Sequence, residues 1–197
     1  MLIKTLNEHF NYYLANEKQF IVTENFAYVS TKCKGTYSFT YANLLMNICS
    51  DFESLIRAYF NKENDDPLEV NDIISLIEED DKLISILTES CRFRNADYGI
   101  LLPLKVYNNP KNNKKYFKWW HANNQIKHNK VAKIFHANQE NILNALGALY
   151  ILNRYILSIL AGEEDNVDIF SNDNQLFKLS NLKSNYISLN ETFFRGV

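Results

Sequence analysis

The sequence predicts a mainly α-helical bundle with a small N-terminal β-hairpin and a short extended C-terminal segment. Three observations lead there. Apolar residues recur at spacings of three and four through residues 41–61. No proline occurs from Lys114 onward, and that stretch runs into a long apolar segment closing near Gly162. β-Forming residues with partial alternation crowd residues 19–41.

Taken in order, Phe20, Val22, Phe26, Tyr28, Val29, Thr31, Tyr37 and Phe39 supply the β-formers, and Lys34-Gly35-Thr36 supplies a turn between them. The spacing then predicts a helix over residues 41–61, with Leu44, Leu45, Ile48, Cys49, Phe52, Leu55, Ile56 and Tyr59 on its inner side. Glu53 and Arg57 pair across one turn of its outer side. A polar break over residues 61–66 and Pro67 ends it. Residues 71–77 open on an Asn or Asp cap and read as helix, with Asp80-Asp81 interrupting. Residues 82–91 fit neither period. Gly99 and Pro103 exclude a regular helix over residues 98–107, which read as extended chain. Beyond Lys114 the pattern turns helical through Trp120, Ile126 and Phe135 to the long apolar helix, the expected centre of the core. Residues 169–197 hold short apolar runs separated by Asn and Ser, expected as extended or loop segments.

All of this fits one domain of 197 residues: an N-terminal arm and hairpin over 1–40, a helical core over 41–162, and an extension over 163–197. A hydrophobic content of 46% with 22% charge is too apolar for a disordered chain. The first residues lack the apolar core and cleavage site of a secretory signal. The segment from Ile142 to Ala161 carries Asn144, Asn153, Arg154 and Ser158, which would be costly at bilayer depth, so it reads as a core helix rather than a membrane span. Cys33, Cys49 and Cys91 form neither a disulfide framework nor a metal-ligand spacing and fit inert thiols in a reducing cytoplasm.

The net charge of −2 hides a partition. Between Tyr98 and Gln139 there is no Asp or Glu, while Lys105, Lys111, Lys114, Lys115, Lys118, Lys127, Lys130 and Lys133 all occur. The window therefore carries +8 and leaves −10 for the remainder, much of it in residues 63–81 and 163–168. Lysines interleaved with Tyr116, Phe117, Trp119 and Trp120 suit a phosphate backbone and unstacked bases, which points to RNA as a partner. The competing reading is a solvated basic face paired with the acidic segments inside the monomer or across a dimer, with both tryptophans as core anchors.

If residues 118–133 are helical, His121, Asn124 and His128 fall on one face, and Trp120, Asn123 and Lys127 form the neighbouring stripe. An imidazole at His128 can give and take a proton near neutral pH, Lys127 can stabilise charge on a pentacoordinate phosphorus, and Asn124 can orient substrate or imidazole. This combination suits metal-independent RNA cleavage and calls for no cofactor. Lys118, Trp119, Trp120, His121, Lys130 and Lys133 are the candidate nucleic-acid contacts around it. The same three polar residues also suit a buried network at a helix seam. A zinc site does not fit, since His121 and His128 stand too far apart along a helix and no carboxylate or thiolate is adjacent. His9 and His136 read as incidental.

The run from Trp119 to Lys130, followed by Phe135-His136-Ala137-Asn138 and Asn141-Ile142-Leu143-Asn144-Ala145-Leu146, resembles a bacterial HEPN-like family. Its signature is Trp-Trp, two arbitrary residues, Tyr or Asn, Asn, two arbitrary residues, Lys-His, one arbitrary residue, and Arg or Lys. The upstream helix beginning Tyr41-Ala42-Asn43-Leu44 and the extended Ile100-Leu101-Leu102-Pro103-Leu104 are similar to the same group, so the likeness spans roughly residues 37–160. The resemblance implies a four- or five-helix HEPN-like bundle that forms a homodimer. It also implies RNA-directed endoribonuclease activity in toxin–antitoxin or phage-defence systems, with an antitoxin or defence protein as partner. His128 matches the family's histidine. Where the family has an arginine separated from that histidine by four to six arbitrary residues, this chain has His121, Ala122 and Asn123. Fixed positive charge is therefore missing there, and His121 or Lys127 is left to supply it.

Two functions follow: an RNA-associated protein that cleaves through His128, or a non-catalytic dimeric interaction module in which the Trp-Trp and Lys-His residues are structural. A small-molecule enzyme has little behind it, with no glycine-rich phosphate loop and five glycines in all.

Overall fold

The computed structural model describes residues 3–62, 68–161 and 175–180, and these form a mainly helical fold. Five α-helices dominate: α1 (Ile3–Thr23), α2 (Phe39–Phe60), α3 (Val70–Glu79), α4 (Lys118–His128) and α5 (Gln139–Ala161). The strands are short: β1 (Cys91–Phe93), β2 (Ile100–Leu101), β3 (Tyr107–Asn108), β4 (Lys115–Tyr116) and β5 (Phe177–Leu179). 3-10 turns lie at Ile84–Thr88, Ala96–Tyr98 and Ile134–His136.

α1, α2 and α5 pack against one another, and α4 lies across α2 and α5. Along α2 the residues Leu44, Leu45, Ile48, Cys49, Phe52, Leu55 and Ile56 are buried, as the three-and-four spacing predicts. Ser38 caps its N-terminus by accepting the Tyr41 N–H at 3.0 Å, and Asn61 ends it in the left-handed region at φ 51°, where Asn is tolerated. α5 is long and apolar enough to cross a membrane, but 78% of that window is buried inside this fold. Its Gly147 permits a close crossing: a Cβ there would stand 2.9 Å from Cys91 Sγ and 3.4 Å from Pro103 Cγ.

The first sheet has the order β2-β1-β5, with Cys91 opposite Leu101 on one side and Leu179 on the other. Buried Glu17 on α1 anchors β5, its carboxylate accepting the N–H groups of Gln175 and Leu176 at 3.0 Å each. Residues 175–180 are thus extended, while the rest of the expected C-terminal extension lies outside the described residues.

The expected N-terminal hairpin is not there. Residues 19–23 are the last turn of α1, whose buried stripe Leu6, Phe10, Tyr13, Glu17 and Phe20 has helical spacing. Residues 24–36 are a succession of turns, including one closed by the Thr36 N–H on the Cys33 carbonyl at 2.8 Å. Tyr37 instead bridges Asn138, so the approach to α2 pairs with the approach to α5, 101 residues later in the chain. A hairpin forms instead at β3–β4, with Tyr107 opposite Tyr116 and Asn113 in the left-handed region at φ 55°.

Candidate functional site

α4 divides into two faces. Trp119, Ala122, Asn123 and Ile126 are buried, while His121, Lys127 and His128 are exposed and Asn124 is half-buried. The helix read from the sequence forms but stops at His128 rather than running to Lys133, residues 129–136 being turns and a 3-10 turn, and it does not carry the tryptophans outward. Trp119 is 1% exposed; its indole Nε1 donates to the Pro103 carbonyl at 2.8 Å and its ring meets Phe52 edge-on at 5.2 Å. Trp120 is 5% exposed, also edge-on to Phe52 at 6.1 Å. Neither offers a face to a base, so the expectation that Trp119 and Trp120 stack on nucleic acid is corrected: Phe52, Phe117 and both indoles make one aromatic cluster in the core.

The polar face of α4 borders a cleft of about 370 Å³ whose opposite wall is the start of α3 and the β3–β4 hairpin. His121, Asn124 and Lys127 line it from α4, with an edge of Trp120. Asn71, Asn109, Asn112 and Tyr116 line it from across. His128 is exposed on the last turn of α4 but is outside the cleft lining. The three candidate catalytic residues are thus divided, with Asn124 and Lys127 in the cleft and His128 beyond its end. His121, at the near end, packs against Tyr116 with ring centroids 5.5 Å apart.

The cleft is rich in hydrogen-bond donors because three of its four asparagines have their oxygens accepting backbone N–H groups. Asn109 Oδ1 accepts the Lys111 N–H at 3.0 Å, Asn112 Oδ1 accepts the Lys114 N–H at 3.1 Å, and Asn71 Oδ1 accepts the Lys115 N–H at 3.1 Å. Each keeps its amide nitrogen to donate. The bordering carboxylates are matched by cations: Glu53 receives Arg57 at 2.8 Å, and Glu69 receives the Lys114 ammonium at 2.6 Å. Lys115 pairs with Glu78 at 2.5 Å. Two of the eight lysines in the acid-free window are therefore bound to the acidic α3 region within the monomer, as the alternative reading of the charge partition anticipates. Among the described residues Lys127 has no such carboxylate partner.

The other candidate contacts are spread out. The Lys118 ammonium stands 4.6 Å from the centre of the Tyr107 ring, away from the lining of the cleft. Lys130 reaches α2, donating to Asn43 Oδ1 at 2.7 Å, and Lys133 lies 5.9 Å from the centre of the Phe135 ring. Burial, the Lys133 charge and the His121 charge hold His136 below its ordinary 6.5. Burial raises the Cys49 thiol far above its usual range and lifts Cys91 to about 12, which leaves both without thiolate reactivity.

Sequence reasoning missed the far wall of the cleft. Asn71, Asn109 and Asn112 lie among many asparagines; the signal for Asn109 and Asn112 is the hairpin turn they build with the left-handed Asn113, while Asn71 reaches that hairpin from α3 and has no local signal. Nor was the fate of Asn123 legible, fully buried with no partner for its Oδ1 or Nδ2 among the described residues. No family model, curated protein or solved structure matches the chain.

Proposed function

We propose that this chain is a HEPN-like RNA-associated protein that holds the phosphate backbone against the exposed face of α4 and cleaves RNA without a metal, using His128 for proton transfer. The observation that carries it is the division of α4: its apolar side is in the core while His121, Asn124, Lys127 and His128 share the solvent side, next to donors and to two carboxylates, Glu53 and Glu69, each paired with a cation. Donor-rich, cationic surfaces of this kind attract phosphate by charge neutralisation. In cleavage, His128 would take the proton from the attacking 2′-hydroxyl and return one to the leaving 5′-oxygen. Lys127 would stabilise the charge that the family's arginine would otherwise meet. A toxin–antitoxin or phage-defence setting, with a protein antitoxin, follows from the resemblance alone.

The deciding measurement is binding and cleavage of tRNA and total RNA at two salt concentrations, with His128→Ala and Lys127→Ala as controls. Affinity should fall steeply with salt, Lys127→Ala should weaken binding, and His128→Ala should abolish cleavage while leaving binding intact. Absence of both salt-sensitive binding and cleavage sinks the reading. A second reading, a non-catalytic dimeric interaction module, draws on the burial of Trp119 and Trp120, which gives half of the signature a structural task. It requires His128→Ala to lower thermal stability or dissociate a dimer, read by melting curves and light scattering.

A further inference from the structure

The stacking surface that Trp119 and Trp120 do not provide exists elsewhere. Phe39 is 63% exposed on the first turn of α2, Tyr37 is 53% exposed just before it, and Phe135 is 48% exposed in the 3-10 turn that precedes α5. Backbone pairing brings them together: Tyr37 bridges Asn138, the Ser38 N–H donates to the Ala137 carbonyl, and the Asn138 amide donates to the Phe135 carbonyl at 3.1 Å. Large aromatic rings left in water at this density mark a recognition surface.

This platform is joined to the cleft. α4 and the loop after it follow α2 from its middle back to its start. Trp120 meets Phe52, Lys130 donates to Asn43, and Asn138 bridges Tyr37. Asn43 lies four residues beyond Phe39, so the Lys130 ammonium sits one helical turn from that ring. From Glu53 at the cleft to Phe39 the helix rises roughly 20 Å. Over that course residues 39–50 and 98–139 contain no Asp or Glu, and Glu140 beyond them is paired with Lys34 at 3.6 Å.

We propose that a single strand of RNA lies along α2, its phosphates running from Lys127 to Lys130 and its unpaired bases stacking on Phe39 and Phe135. The inference rests on the RNA-binding reading and narrows it to unpaired RNA. The occupant follows from chemistry: an acid-free line of ammonium groups ending in exposed rings matches alternating phosphates and bases, whereas a duplex keeps its bases from any ring. An apolar protein surface would leave Lys127 and Lys130 without counter-charge.

The test is fluorescence anisotropy with a single-stranded RNA of about eight nucleotides, within the roughly 4–16 that single-strand grooves cover. The same RNA as a duplex and the matching DNA strand form the other arms. The wild-type chain should prefer the single strand. Phe39→Ala with Phe135→Ala should weaken it by roughly tenfold or more, the order that base stacking supports, and Trp at both positions should restore it. Lys130→Ala should weaken all strands and reduce the salt slope by about one. Both rings are half exposed or nearly so, and an unchanged melting curve identifies a binding effect. The track is overturned, with RNA binding intact, if the double variant binds the single strand as the wild type does or if the duplex binds equally well. It is also overturned if the double variant changes only the molar mass in light scattering, which makes the face a contact between copies. If the wild type binds none of the three, the RNA-binding reading falls and the track with it.

Discussion

The Trp119 indole N–H donates to the Pro103 carbonyl at 2.8 Å, and this bond ties α4 to the chain that follows β2. Both groups are buried, so removing the donor strands a carbonyl away from water. Trp119→Phe is expected to cost about 1–3 kcal/mol in urea unfolding, the range for an orphaned buried polar group, while RNA affinity at fixed salt stays unchanged. A variant with wild-type stability and lost RNA binding would return Trp119 to the binding surface.

Gly147 predicts the opposite of helix propensity. In a free helix Gly→Ala gains roughly 1 kcal/mol. Here the added Cβ would stand 2.9 Å from Cys91 Sγ, closer than packed atoms come, with Pro103 behind it. Overpacking of this kind costs typically about 1–3 kcal/mol. Gly147→Ala should therefore lower the urea midpoint, and the double variant Gly147→Ala/Cys91→Ala, which removes the sulfur, should recover part of the loss. A stabilised single variant would show that α5 does not need this close crossing.

Glu17 makes the anchoring of β5 testable. Its carboxylate accepts from Tyr13 Oη at 2.6 Å and from two backbone N–H groups of residues 175 and 176 at 3.0 Å. Every one of those partners is a donor, so Glu17→Gln places an amide N–H2 against donors. Hydrogen bonds to charged groups are worth roughly 1.5–3 kcal/mol each. The expected result is faster amide exchange at Leu176 through Leu179 and earlier proteolysis there, with α2 and α5 protection little altered. Uniform loss of protection across all helices would instead make Glu17 part of the global core.

These contacts also explain how much of the fold was legible. α2 and α5 announce themselves because nearly every third or fourth residue is apolar and buried. α1 does not, since His9, Asn16 and Glu17 stand among its buried positions and break the apolar stripe, and the β-formers Phe20 and Val22 then suggest a strand. What those polar residues do is fixed by partners far away: Asn16 donates to Asp51 at 2.5 Å, and Glu17 reaches residue 176. The site divides the same way. Which residues of α4 share a face is local information, so His121, Asn124 and His128 were found together, while Lys127, placed in the stripe of Trp120 and Asn123, is exposed where those two are buried. That His128 passes the end of the cleft depends on where α3 and the β3–β4 hairpin stop, which no local period encodes. The tryptophans show the limit of composition, because the same indole beside lysines serves a base or a core, and only the partner at Pro103 tells them apart.

Acidity offers a last prediction, from His136 and His9. Burial, Lys133 and His121 hold His136 below the ordinary 6.5, and burial does the same for His9 against an opposing pull from Glu8. In the unfolded chain both imidazoles take a proton near 6.5, while in the fold they do so only at lower pH. Between those two values the unfolded state binds more protons, so stability rises with pH in that window. The folded chain should therefore lose stability as the pH falls from 6.5 through the folded values, with no further loss from these groups below them. Asp51, raised from 3.8 by burial, runs the other way, losing stability as the pH climbs above 3.8. The histidine contribution is isolated by urea midpoints at about pH 7.5 and about pH 5.5, the range where imidazoles titrate. His136→Gln and His9→Gln should each shrink the difference between the two midpoints. If both variants keep the wild-type difference, neither imidazole is coupled to folding in this range.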